Sequence, residues 1–183
     1  MPLVYIALGA NLPSPAGPPD ATLAAALEQI ASLGRIAARS SLYSTAPVGL
    51  ADQPRFLNAV IALDTDLAPR QLLDDLLFIE RFFGRDRSGS VPNGPRTLDL
   101  DILLYGDLVL AEPGLEIPHP HLAERAFVLV PLAEIAPDLS IPPSGLTAAQ
   151  LLANLNPRAD AGAAVLIKSR HWPIESGSAS KES

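Results

Sequence analysis

The chain has 183 residues, 48% of them hydrophobic, a net charge of −7 and no cysteine. Its length fits one domain with a sizeable core, its acidic balance argues against a general nucleic-acid surface, and the missing cysteines exclude disulfides and thiolate metal sites. No apolar run approaches the roughly 18 residues of a membrane span and MPLVYIALGANLP carries no basic leader region, so the cytoplasm is the expected location, with neither nucleic acid nor membrane as a partner.

In chain order, VYIALGA (Val4–Ala10) reads as a buried strand. The turn SPAGPPD follows, with Asp20 or Thr22 expected to cap an Ala- and Leu-rich helix that Gly34 stops. RIAARSSLYSTAPVG reads as a strand running into a loop, and FLNAVIALDTDL as a further strand. APRQLLDDLLFIERFFG is a helix with Pro69 in its first turn and Gly84 after its end. The polar loop RDRSGSVPN leads into a strand, RTLDLDILLYG. IPHPHLAERAFVLVPLAEIAP begins as a proline-rich loop and continues as short helical pieces. TAAQLLANLN is a last helix, and HWPIESGSASKES has the composition of a flexible tail.

The order strand, helix, strand, strand, helix, strand predicts an α+β, ferredoxin-like βαββαβ fold. Its antiparallel sheet carries helices on one face, with C-terminal helical additions. Residues 1–157 are expected to form one domain and 158–183 a C-terminal extension, flexible at its end. Many unrelated activities use such a fold, so function has to be argued from side chains.

The segment GPRTLDLDILLYG (Gly94–Gly106) is the most informative. Strand period puts Leu98, Leu100 and Ile102 on one face and Asp99 with Asp101 on the other. Two like charges this close repel. They are either two solvated acids on a half-buried edge or two ligands of a divalent cation, and these residues alone leave both open. Arg81, Arg85, Arg87 and Arg96 cluster just before them, while the only lysines are Lys168 and Lys181. Guanidinium groups suit phosphate oxygens, although a solvated loop explains the same cluster. No P-loop and no GxGxxG fingerprint is present, so any phosphate would fall to arginine, histidine and metal.

In PHPHLAER the prolines break strand geometry around His119 and His121. One histidine is therefore read as a hydrogen-bond donor to an anion and the other as a loop residue, with Arg125 within reach of the same anion. Phe56 and Asn58 share a face at a strand start, an aromatic beside an amide, which suits a flat heterocycle as well as a core. Phe127 carries the same ambiguity. Glu80 reads first as a salt-bridge partner of a nearby arginine, and second as an acceptor for a ligand amine.

Taken together, YIALGANL, DQPRFLNAVIAL, IERFFGR, GPRTLDLDILLYG and IPHPHLAERAFVLVPLAEIAP resemble the 6-hydroxymethyl-7,8-dihydropterin pyrophosphokinase family, from about Val4 to the final helix. The resemblance implies a folate-pathway enzyme that moves pyrophosphate from ATP to a pterin alcohol, releasing AMP. It implies two Mg²⁺ ions on Asp99 and Asp101, and a triphosphate neutralised by Arg85, Arg96, His119 and Arg125, with Arg87 nearby. Glu80 and Ile102 would lie against the nucleotide. Thr45, Val48, Phe56, Asn58 and Phe127 would hold the pterin, and Arg85, Arg96, Asp99 and Asp101 would be the catalytic set.

The chain departs from the family at Asn93, where an aromatic is common, at Ser88, at Pro120 and at Leu77. Two other readings stand beside this one: a metal-dependent phosphohydrolase, and a non-catalytic nucleotide- or pterin-binding module. A monomer is the expected state.

Overall fold

Asn58–Leu63 is buried at every position, a pattern that only a central strand with cover on both faces can accommodate. The computed structural model, which describes residues 2–155 and 164–172, builds its sheet around that strand. The elements are β1 (Leu3–Ala10), α1 (Pro19–Ile30), β2 (Arg35–Arg39), β3 (Leu42–Thr45), β4 (Phe56–Asp64), α2 (Pro69–Phe82) and β5 (Asp99–Tyr105). A hairpin, β6 (Leu110–Glu112) with β7 (Leu115–Ile117), precedes α3 (Ala126–Ile135). Then come β8 (Ser140–Ile141), β9 (Leu146–Thr147), α4 (Ala148–Asn154) and β10 (Val165–Ile167).

The main sheet is antiparallel in the order β10-β3-β4-β1-β5, and β2 continues the β3 side along β4. The order β5-β1-β4-β3 is the ferredoxin-like arrangement that the element order predicts. The segment over 35–49, expected as one strand running into a loop, holds two strands, β2 and β3. Ser40 bridges the break, since its hydroxyl accepts the Val60 N–H at 2.9 Å while its own N–H bonds the Val60 carbonyl.

Alternation gives the sheet two apolar faces. Val4, Ile6, Leu8, Ile61, Leu63, Leu98, Leu100 and Ile102 pack with α1 and α2. Tyr5, Val60, Ala62 and Leu103 pack with α3 and α4. The expected helices on one face are thus α1 and α2, and the C-terminal helical additions cover the other. Glu134 of α3 fixes that second layer to the edge, accepting from the Ser41 N–H at 3.0 Å, the Ser41 hydroxyl at 2.8 Å and the Tyr43 hydroxyl.

Three local expectations are corrected. Neither Asp20 nor Thr22 caps α1: the helix starts at Pro19, Pro18 takes the cap position without a side-chain bond, and Thr22 turns back to the Pro18 carbonyl. Proline needs no donor satisfied at a first turn, so no polar cap is required there. Gly34 does not stop that helix, which ends at Ile30. Gly34 is instead required by close packing, since a Cβ there would sit 2.3 Å from the Asp64 carbonyl oxygen.

The third correction concerns His171 and Trp172, read as part of a flexible tail. β10 pairs with β3, and Trp172 lies in the α1-side core at 2% exposure, its indole N–H donating to the Ser40 carbonyl at 2.9 Å. Ser169 donates to Asp20 at 2.7 Å from the same segment. The expected tail from residue 173 onward lies outside the described residues. Among the described residues, no helix is long and apolar enough to cross a membrane.

Truncating a buried aromatic to alanine costs about 3–5 kcal/mol. Trp172→Ala is expected to lower the unfolding free energy by that amount, read from the shift of the urea midpoint by circular dichroism at an unchanged slope. A loss below about 1 kcal/mol would place the segment outside the cooperative core.

Candidate active site

The register lines up four residues across the sheet: Tyr43 opposite Asn58, Asn58 opposite Gly9, and Gly9 opposite Asp99. Opposed residues share a face, so Asn58 and Asp99 flank a position with no side chain. A Cβ on Gly9 would come within 3.0 Å of Asn58 Oδ1. That bare stretch of backbone lies in an open cleft whose walls include Thr45, Val48, Phe56, Asn58 and Phe127. Helix α3 covers the rest of this sheet face but starts only at Ala126, so Arg125 and Phe127 stand at the cleft.

Polar and aromatic groups are held in place within the cleft. Asn58 Nδ2 donates to Thr45 Oγ1 at 2.6 Å. The Arg96 guanidinium lies 5.7 Å from the Phe56 ring centre, and Arg125 lies 5.5 Å from that of Phe127. Each aromatic wall therefore carries a cation within cation–π range. The two rings and the amide form a slot for a flat, polar-edged heterocycle.

Asp99 sits at the floor between two arginines. Arg85 donates to its Oδ1 at 2.8 Å and Arg96 to its Oδ2 at 3.0 Å. Arg85 also reaches the Leu98 carbonyl at 2.8 Å. Burial pushes the Asp99 carboxyl upward, but Arg96 and Arg85 outweigh it and hold the group below the usual carboxylate range. Asp101 has no such pair. Burial, and next the charge of Asp99, push it up to about 7, with Arg125 only partly opposing.

Asp101 opens onto a second cleft, also lined by Leu73, Leu100, Ile102, Glu116 and His119. Asp99 thus lines the first cleft and Asp101, two residues on along the same strand face, lines the second. Ile102 belongs to the core at 4% exposure and forms part of the second cleft's wall.

His119 stands with Nε2 4.0 Å from Asp101 Oδ2. Its Nδ1 accepts the His121 N–H at 3.1 Å, so in the neutral ring the proton is on Nε2, facing the acids. Burial, then the charge of Arg125, lowers its pKa to about 4. His119 is therefore a neutral donor near pH 7. His121 points elsewhere, to Glu124 at 3.1 Å.

Glu80 is 1% exposed and faces inward. It accepts the Leu100 N–H at 2.8 Å and Arg87 at 2.6 Å, with Arg85 3.8 Å away. The salt-bridge reading describes its position here: it ties α2 to β5 and holds the basic loop. Arg81 is exposed and is not among the residues lining either cleft.

Among the described residues, no group of three or more His, Asp and Glu side chains is arranged to hold a metal. Two carboxylates on one face remain a donor set suited to Mg²⁺, which keeps water and substrate phosphates as its other ligands. Asp101, raised by burial and by a like charge, is the kind of group a cation would stabilise.

Sequence reasoning missed Gly9, Asn11 and Gln53. All three stand inside the quoted blocks YIALGANL and DQPRFLNAVIAL, but a glycine in a strand and two amides carry no chemical signature of their own. Asn93, noted only as a departure, lines the cleft at φ 58°, a left-handed conformation that asparagine tolerates better than most residues.

Residues 5–137 match the family model described as 7,8-dihydro-6-hydroxymethylpterin-pyrophosphokinase. The chain is 53% identical over 139 residues to a 2-amino-4-hydroxy-6-hydroxymethyldihydropteridine pyrophosphokinase of Pseudomonas aeruginosa, covering 76% of this chain and 83% of that one. It is 45% identical over 159 residues to a protein of the same name from Methylorubrum extorquens, covering 86% and 96%. The wild-type Plasmodium falciparum HPPK-DHPS crystal structure shares the fold, with a TM-score of 0.66 at 15% identity. That match covers 83% of this chain, which spans 44% of the longer Plasmodium chain.

The site predicts two opposed pH dependences in metal-free buffer. Between about pH 4 and 6.5, an unfolded histidine is protonated while folded His119 is neutral, so this residue makes stability rise with pH. Over the same window folded Asp101 keeps a proton that the unfolded chain has lost, so it makes stability fall with rising pH. Asp101→Asn should leave a steeper rise of the urea midpoint with pH than in the wild type, and His119→Gln a shallower rise or a fall. Parallel profiles for all three proteins would contradict the assigned protonation states.

Proposed function

The chain belongs to the 7,8-dihydro-6-hydroxymethylpterin-pyrophosphokinase family, and we propose from that membership that it transfers pyrophosphate from ATP to the hydroxymethyl group of 6-hydroxymethyl-7,8-dihydropterin in folate biosynthesis. The observation that carries the reading is the junction formed by the pair Asp99 and Asp101 on one strand face, the first lining the aromatic slot and the second lining the cleft that holds His119.

The pterin ring lies between Phe56 and Phe127, its edge hydrogen-bonded by Asn58 and Thr45, with the Val48 segment closing over it. The hydroxymethyl group then points along the sheet toward Asp99. ATP occupies the second cleft with its phosphates at the junction, against Ile102 and above the Glu80–Arg87 support. Arg85, Arg96, Arg125 and the Nε2–H of His119 supply donors to the phosphate oxygens. Asp99 and Asp101 would hold Mg²⁺, which when bound adds positive charge at those oxygens.

The alcohol oxygen forms a bond to the β-phosphorus in line with the bond that breaks, the one to the oxygen bridging toward the α-phosphorus. AMP leaves with that electron pair, and the alcohol proton passes to solvent. The protein contributes position and charge, which carry most of the catalysis in phosphoryl transfer.

The test is an incubation with ATP, Mg²⁺ and the pterin alcohol, separating AMP from ADP. AMP that forms only when the pterin is present is the expected outcome. ADP, or ATP consumption without the pterin, would replace this reading with γ-transfer or hydrolysis.

Removing a donor to the transferring group costs about 10²–10³ in rate, and Arg96→Ala is expected to lose that much in kcat. Phe56→Ala should weaken equilibrium pterin binding far more than binding of a non-hydrolysable ATP analogue. Equal losses for the two ligands would contradict the slot.

A further inference from the structure

We infer that Asn11 and Gln53 are positioning residues that fix the pterin loop, the 86–95 loop and Arg96 in one arrangement; the inference rests on the function proposed above. Neither amide is among the residues lining either cleft described above. Asn11 is 3% exposed and lies just after β1. Its Oδ1 accepts the Arg96 N–H at 2.9 Å, and its own N–H donates to the Arg96 carbonyl at 3.1 Å. Its Nδ2 donates to Gln53 Oε1 and to the Pro54 carbonyl, both at 3.0 Å. Gln53 Nε2 in turn donates to the Leu50 carbonyl at 2.7 Å and to the Asn93 carbonyl at 2.8 Å.

Both hydrogens of each amide are therefore used, and each amide oxygen accepts a bond. Turning either amide over would set an oxygen against a carbonyl oxygen, so the network has one orientation only. The segments it joins are those that make the aromatic slot. Val48 and Phe56 flank the loop that Gln53 and Pro54 belong to, Asn93 stands opposite, and Arg96 lies against Phe56 with its other end on Asp99. Asn93 also packs on this loop, within 3.3 Å of where a Gly49 Cβ would be.

The bonds join loops to one another across a stretch with little apolar packing. Losing them frees the walls of the slot and the Arg96 backbone together. Displacing reacting groups by about 1 Å can cost about 10²-fold in rate.

Gln53→Ala is the primary variant, because Gln53 is only partly buried and its loss leaves the sheet core untouched. Gln53→Glu keeps the acceptor for Asn11 but has no donor for Leu50 or Asn93, and Asn11→Asp is a same-size change at the hub. Equilibrium pterin binding, affinity for a non-hydrolysable ATP analogue, kcat and melting temperature are measured for each.

Gln53→Ala and Gln53→Glu are expected to lose about tenfold or more in pterin affinity and in kcat. ATP-analogue affinity should stay within about threefold of wild type, and the melting temperature within a few degrees. Asn11→Asp should repeat the losses in pterin affinity and in kcat, with a lower melting temperature because its carboxylate faces the Pro54 carbonyl and Gln53 Oε1. Wild-type pterin affinity and kcat in a folded Gln53→Ala would overturn the inference. So would equal losses for both ligands that track a lowered melting temperature, which would make the network part of the general fold. A wild-type protein that binds no pterin would instead defeat the proposed function itself, and that result is read before any variant is compared.

Discussion

Two carboxylates share one half-buried face of a single strand, and the surroundings of β5 answer the cost of keeping them there. Like charges in a poorly solvated place repel strongly. The protein resolves this unevenly: Asp99 is neutralised by Arg85 and Arg96, whereas Asp101 is left with a raised proton affinity. The buried Glu80 supports the arrangement from behind by holding Arg87 and the Leu100 N–H. Removing one partner of such a buried set costs more than forming the set contributes, because an unpaired charge stays behind. The basic loop, the end of α2 and the start of β5 are thereby tied to one another by charge.

The sheet supplies the rest of the geometry. Cross-strand register sets Asn58, Gly9 and Asp99 in one row, so the distance between the heterocycle slot and the acids follows from strand spacing. Helix α3 buries one half of that face and leaves the other half open. A scaffold of paired strands places such groups more reproducibly than loops do. The loops that complete the slot lack that support, and the paired amides of Asn11 and Gln53 substitute for it.

Much of this was legible in the sequence where periodicity and chemistry coincide. The alternation in TLDLDI gave the shared face of the aspartates, the strand–helix order gave the fold, and the Phe56–Asn58 spacing gave one wall of the slot. Less local features were not legible. The start of α1 is set by prolines, not by a polar cap. Gly34 looked like a helix stop because its real partner, the Asp64 carbonyl, is 30 positions away in the chain. Asn11 and Gln53 gained meaning only once three separate segments were brought together. Trp172 was lost in a stretch rich in Ser and Gly, although one large apolar residue beside a short β-branched run is enough to join a core.

The placement of Trp172 has a consequence for synthesis. Residues 5–137 carry the family match, yet the indole that fills the core beneath Ser40 is synthesised after all of them. Until residue 172 clears the ribosome, the outer edge of β3 is unpaired and the α1-side core lacks its last large side chain. The nascent chain thus carries an open sheet edge next to an incomplete core, the combination that favours pairing with another chain. Completion of this fold therefore waits for a segment synthesised well after β1 to β5.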